Sequence, residues 1–166
     1  IILNVRPRKS AKLYESIWTD KGSPLLVNMQ SIVKKLHSKN KDVHIKLGMR
    51  YGNPSIEEAL NYFKNKNIFK ILVLPLYPQA GSPTNSSTFD EISRVLNGWP
   101  WLPNLRFVNG YHDHEDYILA VSNSIKKSTS NCDDIEKIIF SFHGMPVRYL
   151  NEGDPDYCFC HKTARL

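Results

Sequence analysis

Residues able to carry proton, metal or anion chemistry follow several short apolar segments of this sequence. His143 follows the fourth such segment, Arg50 the first, and Tyr77 and Gln79 the second. An imidazole titrates near neutral pH, so it can accept a proton or bind a metal ion. A guanidinium can hold a carboxylate or a phosphate through two parallel hydrogen bonds. These residue types suit a substrate that exchanges protons or a metal and carries acidic groups.

Both charged candidates also have a purely structural interpretation. His143 could be a histidine fixed by a hydrogen bond to a loop carbonyl, and its position alone does not separate this role from a chemical one. Arg50 could form an ion pair with Glu57 or Glu58 in place of a substrate contact. The residues alone therefore leave both interpretations open.

Other polar residues are predicted to have structural roles. His112 and His114 lie in a loop before a helix and are expected at the surface. The hydroxyl-rich segment 82–88 lacks the glycines of a nucleotide-binding loop, so helix capping is favoured over anion binding. The sequence contains three cysteines, an odd number that favours a reducing compartment and a cytoplasmic location. Cys158 and Cys160 lack a second ligand pair, and we expect neither to bind a metal.

Alternating helix and strand patterns would place these residues at one edge of a sheet. Apolar patterning predicts strands at 43–47, 71–74, 105–108 and 138–142. Capping and periodicity predict helices that begin at Ser23–Pro24, at Pro54–Ser55, near Ser86 and near Tyr117. This order predicts an α/β fold, a doubly wound, parallel, four-stranded sheet flanked by helices in the flavodoxin-like manner. Ligands of such sheets bind beyond the carboxyl ends of the strands, where His143 is expected.

Composition limits the remaining classes of function. The chain has 166 residues, 41% of them hydrophobic, and a net charge of +6, which fits one globular domain over residues 1–166. No apolar run approaches the ~18 residues of a membrane-spanning helix. The positive charge favours an acidic ligand or peripheral contact with an acidic membrane surface. Nucleic acid is not expected as a partner, because no zinc finger, RNA-binding aromatic motif or basic stripe is present.

Six segments in order resemble the ferrochelatase family, whose members insert ferrous iron into protoporphyrin IX. They are 6–18, 22–25, 49–54, 76–79, 141–146 and 152–155. The resemblance, mostly to bacterial members, covers the whole chain. It implies one half of a two-domain chelatase, the N-terminal half, truncated at both ends. The glutamate that faces the active-site histidine would then lie beyond Leu166, and the isolated fragment could be inactive.

The resemblance also implies roles for individual residues. His143 matches the active-site histidine, assigned to metal binding or to accepting pyrrole protons. Positions that contact the porphyrin or its propionates, or that line the cleft, are matched by Arg6, Tyr14, Ser23, Arg50, Tyr77 and Gln79. Ser82 stands where some members have an iron–sulfur cysteine, so no cluster and no other cofactor is expected. The motif around Gln79 departs from the family pattern, because Ala80 and Gly81 follow where members often have an aromatic and a small residue.

The expected function is therefore a ferrochelatase lyase of haem biosynthesis, with protoporphyrin IX and ferrous iron as substrates. One alternative is a porphyrin-binding or haem-binding module without turnover. A related cobalt or nickel tetrapyrrole chelatase and an anion-binding interaction domain are the others. The sequence does not give the metal preference or the oligomeric state.

Overall fold

The computed structural model describes residues 11, 13–132 and 134–166. These residues belong to two compact units, Ile1–Ala59 and Leu60–Leu166, and each is described by itself. Arg6 lies outside the described residues. The prediction of a single domain over residues 1–166 stays a prediction.

The first unit contains helix α1, Pro24–Lys39. The Ser23 hydroxyl accepts a hydrogen bond from the Leu26 amide at 3.2 Å, and Pro24 occupies the first turn, which confirms the predicted helix start. No described residue of α1 is buried. Its apolar stripe is therefore exposed in the described part of the chain, as Leu25 at 59% shows.

Helix α2, Ile56–Asn65, begins in the first unit and continues into the second. Ser55 and Glu58 form a reciprocal cap at its start. The Glu58 amide donates to the Ser55 hydroxyl at 3.1 Å, and the Ser55 amide donates to the Glu58 carboxylate at 2.7 Å. Ile56 and Leu60 are buried, as the sequence pattern predicts.

The second unit is built on a parallel pair of strands, β1 (Lys70–Val73) and β2 (Asn104–Phe107). Between them, a π-helical turn, Ser82–Ser86, leads into helix α3, Ser87–Leu96. After β2 come the three remaining helices, which are α4 (Glu115–Thr129), α5 (Val147–Asn151) and α6 (Asp156–Arg165). The buried apolar residues of this unit are Leu60, Ile71, Ala80, Ile92, Val95 and Leu96.

This arrangement confirms the α/β class with a parallel sheet, and the sheet has two strands in the described residues. The segments 43–47 and 138–142 form no strand there. A strand requires a neighbour to pair with its backbone groups. Ile139 is 90% exposed and Leu72, on β1, is 66% exposed. The expectation that 71–74 is covered on both faces is therefore wrong for Leu72.

No helix in the described part of the chain combines the length and apolar character that crossing a membrane requires.

Candidate functional site

A cavity of about 470 Å³ in the second unit contains the histidine singled out by the sequence. His143 is exposed and lines this cavity between the segment 138–142 and helix α5. Much of the wall is apolar, and its members include Phe140, Phe142, Met145, Pro146, Val147, Leu150 and Ala164. The cavity therefore presents an imidazole beside an apolar surface. That combination suits a largely apolar ligand that reacts at one polar point.

Helix α6 supplies most of the polar atoms of the same cavity. Asp156, Cys160 and His161 all line it, and the Cys160 thiol lies 3.8 Å from the Asp156 carboxylate as a hydrogen-bond donor. Burial and the nearby Asp154 charge raise the pKa of Asp156, while the hydrogen bond from Cys160 and the proximity of His143 act in the opposite direction. Burial and the Asp156 charge raise the pKa of the Cys160 thiol to about 11. Cys160 is therefore a poor thiolate donor to a metal at neutral pH.

Asp154 is the buried polar residue that joins this loop to the strand ends. It is 8% exposed, and its carboxylate accepts hydrogen bonds from the Ser82 amide at 2.6 Å and from the Asp156 amide at 3.0 Å. Burial acts to raise the pKa of Asp154, but the hydrogen bonds from Ser82 and Asp156 outweigh it, and the pKa lies below its ordinary value. One carboxylate thus holds the π-helical turn against the start of α6.

The close approach of these two segments depends on Gly81. A Cβ atom at this position would lie 3.1 Å from the Asp156 Cβ and 3.2 Å from an Asp154 carboxylate oxygen. Both distances are shorter than ordinary contacts, so a side chain here would push the segments apart.

Helix α6 also contacts Gln79, one of the predicted substrate-binding residues. The Gln79 amide nitrogen donates to the Thr163 hydroxyl at 3.0 Å, and that hydroxyl lies 2.9 Å from the His112 backbone carbonyl as its donor. Gln79 therefore holds α6 against the loops that follow β1 and β2. Tyr77, two residues earlier, is 39% exposed.

His112 is not a surface residue, so that expectation is wrong. Its side chain is 12% exposed, and its ring stacks on Phe159 of α6 with centroids 3.8 Å apart. Burial lowers the pKa of His112. Lys162 of α6 pairs with Asp113 beside it. His114, in contrast, is exposed as predicted, and its ring accepts a hydrogen bond from the Asp116 amide at the start of α4.

The hydroxyl-rich segment 82–88 caps and continues a helix, as predicted. The Thr84 hydroxyl donates to the Gly81 carbonyl, and the Thr88 hydroxyl donates to the Thr84 carbonyl. What the sequence did not reveal is the anion at the start of this helix. It is the Asp154 carboxylate of the chain itself, bound to the Ser82 amide across a separation of 72 residues.

The other described candidates lie in the first unit. Tyr14 is 61% exposed. The Ser23 hydroxyl caps α1. The guanidinium of Arg50 lies 4.7 Å from the centre of the Tyr51 ring. Their predicted contacts with a substrate stay predictions, as do both interpretations of Arg50.

The cavity includes two carboxylates that the sequence analysis did not assign. Asp154 and Asp156 fall in the predicted loop 143–156, and the only local signal was the acidic Gly-Asp-Pro-Asp run before a helix. Among the residues that the structure describes, no group of three or more His, Cys, Asp or Glu side chains is arranged to hold a metal ion. His143 is therefore a single potential metal ligand in this part of the chain.

Comparisons with known proteins agree with the motifs around this site. A family model described as Ferrochelatase matches residues 1–166. Ferrochelatase 2 of Shewanella oneidensis is 46% identical over 170 residues, which span 100% of this chain and 52% of that protein. Ferrochelatase of Nitrosococcus oceani is also 46% identical, with 100% of this chain and 46% of that protein covered. Ferrochelatase of Thioalkalivibrio sulfidiphilus is 48% identical over 99% of this chain and 46% of its own length.

The chain thus spans about half the length of the curated relatives it matches. The match extends over every motif described above, from the segment that contains Arg50 to the cavity that contains His143. The chain belongs to the ferrochelatase family.

Proposed function

We propose that the protein containing this chain is a ferrochelatase, a lyase that inserts ferrous iron into protoporphyrin IX and forms protohaem, the terminal step of haem biosynthesis. The observation that carries the proposal is the exposed imidazole of His143 at the wall of an apolar cavity, in a chain that matches the family model throughout. The proposal concerns the whole protein, because the relatives are about twice as long.

Metal insertion exchanges one dication for two pyrrole protons. Ferrous iron enters the ring, both pyrrole N–H bonds break, and two protons leave, so the total charge is unchanged. In this proposal, an imidazole nitrogen of His143 either accepts a pyrrole proton or holds the incoming iron. Its exposure leaves it accessible to both, and histidine is a common ligand for iron.

The apolar wall is suited to the porphyrin ring. Phe140, Phe142 and Pro146 line the cavity with His143. Aromatic side chains pack well against a flat conjugated ring. A wall fixed in shape also favours a bent ring, in which the nitrogen lone pairs point towards the metal. The hydrogen bonds of Asp154 support this part of the cavity, because they fix the start of α6.

The substrate-binding roles of the remaining residues rest on the motif resemblance. Arginine pairs readily with carboxylates, so we propose that Arg6 and Arg50 bind the propionates. The proposed contacts with the porphyrin itself are made by Tyr14, Ser23, Tyr77 and Gln79. The hydrogen bond from Gln79 to Thr163 suggests that Gln79 also fixes the cleft wall.

We further propose that the sheet has four strands in the complete protein. The segments 43–47 and 138–142 would supply the additional strands of a doubly wound, flavodoxin-like half. The exposed apolar side chains of Ile138 and Ile139 support this, since they are suited to a buried strand. The opposing glutamate would come from the other half of the protein. A cytoplasmic location, peripheral membrane contact, and the absence of an iron–sulfur cluster and of a nucleic-acid partner complete the proposal.

The test uses the full-length protein with ferrous iron and protoporphyrin under anaerobic conditions. The wild type should form haem, and His143→Ala should lose activity by at least about a hundredfold, the lower range for removal of an acid–base group. The porphyrin Soret band should still shift when His143→Ala is added, because the apolar wall is intact. His114→Asn is the matched control, since it removes an exposed histidine yet keeps a hydrogen-bond acceptor at the start of α4.

Other results would point to the alternatives. A Soret shift without metal insertion by the wild type would indicate a binding module. Faster insertion of cobalt or nickel than of iron would indicate a related chelatase. No Soret shift at all would favour an anion-binding domain. Activity of His143→Ala equal to that of His114→Asn would refute the role of His143.

A further inference from the structure

We propose that the edge of the sheet opposite the strand ends docks on an anionic lipid surface. The surface concerned, called the aromatic edge here, consists of Phe69, Trp99, Trp101 and Leu102. Phe69 directly precedes β1, and Leu102 lies two residues before β2. Because the two strands are parallel, their first residues meet at one edge, and the loops of the candidate site follow the other.

The aromatic edge is one continuous cluster. The Phe69 and Trp101 rings have centroids 4.6 Å apart, and Trp101 and Trp99 are 5.1 Å apart. The Asn104 amide donates to the Phe69 carbonyl at 2.7 Å, which fixes the two segments side by side. Phe69 is 56% exposed and Leu102 is 74% exposed. Apolar side chains of this size thus face solvent on a rigid support.

The charge around the aromatic edge has a single sign. Lys64, Lys66 and Lys70 lie on α2 and at the start of β1, and the Lys64 ammonium lies 5.4 Å from the centre of the Trp99 ring. The sequence has no Asp or Glu in 59–89 or in 92–112. Within the described residues, none of the three lysines pairs with a carboxylate. The edge therefore combines exposed aromatic rings with uncompensated positive charge.

This combination favours a membrane surface over a protein partner. Tryptophan prefers the boundary between headgroups and acyl chains, where its ring is apolar and its N–H remains solvated. Lysine places its stem along apolar surface and its ammonium among anionic headgroups. The patch is also a convex end of the sheet without a described groove for a helix or a strand. This inference does not depend on the proposed function, because no residue of the candidate site takes part.

The test is flotation of the full-length protein with vesicles. We expect it to float with vesicles of equal parts phosphatidylcholine and phosphatidylglycerol and not with phosphatidylcholine alone. Each lysine near an anionic surface contributes a factor of about five, so loss of two should weaken binding about 30-fold. The double variant Lys66→Glu/Lys70→Glu should do at least this. Lys126→Glu/Lys127→Glu makes the same change in net charge on exposed residues of α4 and should bind as the wild type does.

A second pair of variants tests the apolar part. Leu102→Ser should weaken binding, whereas Leu119→Ser, at a 57% exposed position of α4, should not. Iron insertion in detergent solution should be unchanged in all four variants. The inference is overturned if the wild type does not float, or if the two lysine pairs have equal effects. It is also overturned if Leu102→Ser only abolishes self-association or binding to another protein.

Discussion

The hydrogen bonds of the Asp154 carboxylate yield the sharpest prediction about stability. Hydrogen bonds to a charged group contribute roughly 1.5–3 kcal/mol each. Asp154→Asn keeps the shape but replaces one carboxylate oxygen with an NH₂ group, so one of the two amides must face another donor. Ser82 is exposed, and water can partly replace the bond to its amide. We therefore expect a loss of about 2 kcal/mol for Asp154→Asn and about 3 kcal/mol for Asp154→Ala.

The effect should depend on pH in one direction. The pKa of Asp154 lies below its ordinary value in the folded protein, because the Ser82 and Asp156 amides outweigh the effect of burial. Its contribution to stability is therefore present above the pKa of the unfolded carboxyl group and is lost as the pH falls through the lower, folded pKa. The difference between the wild type and Asp154→Asn should be largest at neutral pH and should shrink in strong acid.

Urea unfolding of the full-length protein, followed by circular dichroism at several pH values, measures this difference. Glu152→Gln is the matched control, because it removes one charge from an exposed position of the same loop. Its free energy of unfolding should stay within about 0.5 kcal/mol of the wild type. Equal effects of Asp154→Asn and Glu152→Gln, or a difference that grows in acid, would refute the reasoning.

Three further changes test how α6 is held. Thr163→Val should cost about 1–2 kcal/mol in urea unfolding, because the Gln79 amide loses its acceptor, and an unchanged midpoint would contradict this. Gly81→Ala should cost about 1 kcal/mol or more by the same measurement, since its Cβ would lie 3.1 Å from the nearest side-chain atom, and a stabilised variant would disprove the contact. Cys160, whose thiol pKa is raised to about 11, should react with iodoacetamide at least about tenfold more slowly than the exposed Cys158, and equal rates by mass spectrometry would count against the burial.

Local signals in the sequence predicted the elements whose ends are capped nearby. Ser23 and Pro24 start α1 as expected, because a capping side chain and the amide it binds lie within one turn. The parallel strands around Ile71 and Leu105 were also predicted, since each is a short apolar segment between turns. These features depend on neighbours in sequence, and so sequence reasoning can find them.

Features that depend on distant contacts were not predicted. Asp154 binds the Ser82 amide across 72 residues, and no local pattern distinguishes it from a surface aspartate. His112 was expected at the surface, but Phe159 covers it from a helix more than forty positions later. The segment 138–142 has the composition of a strand without a partner in the described chain. In each case the outcome depends on which segment packs against the residue, and a single sequence does not contain that information.

The carboxylate at the start of the helical segment 82–96 has a consequence for ligand selectivity. Many α/β proteins recognise phosphate with the rigid peptide dipoles at such a position. Here Asp154 already occupies it, so an acidic ligand has to be recognised by arginine side chains, which adapt to different carboxylate spacings. Such recognition is tolerant, and tetrapyrroles whose acidic chains are moved around the ring should compete with one another for the protein, whereas inorganic phosphate should compete poorly.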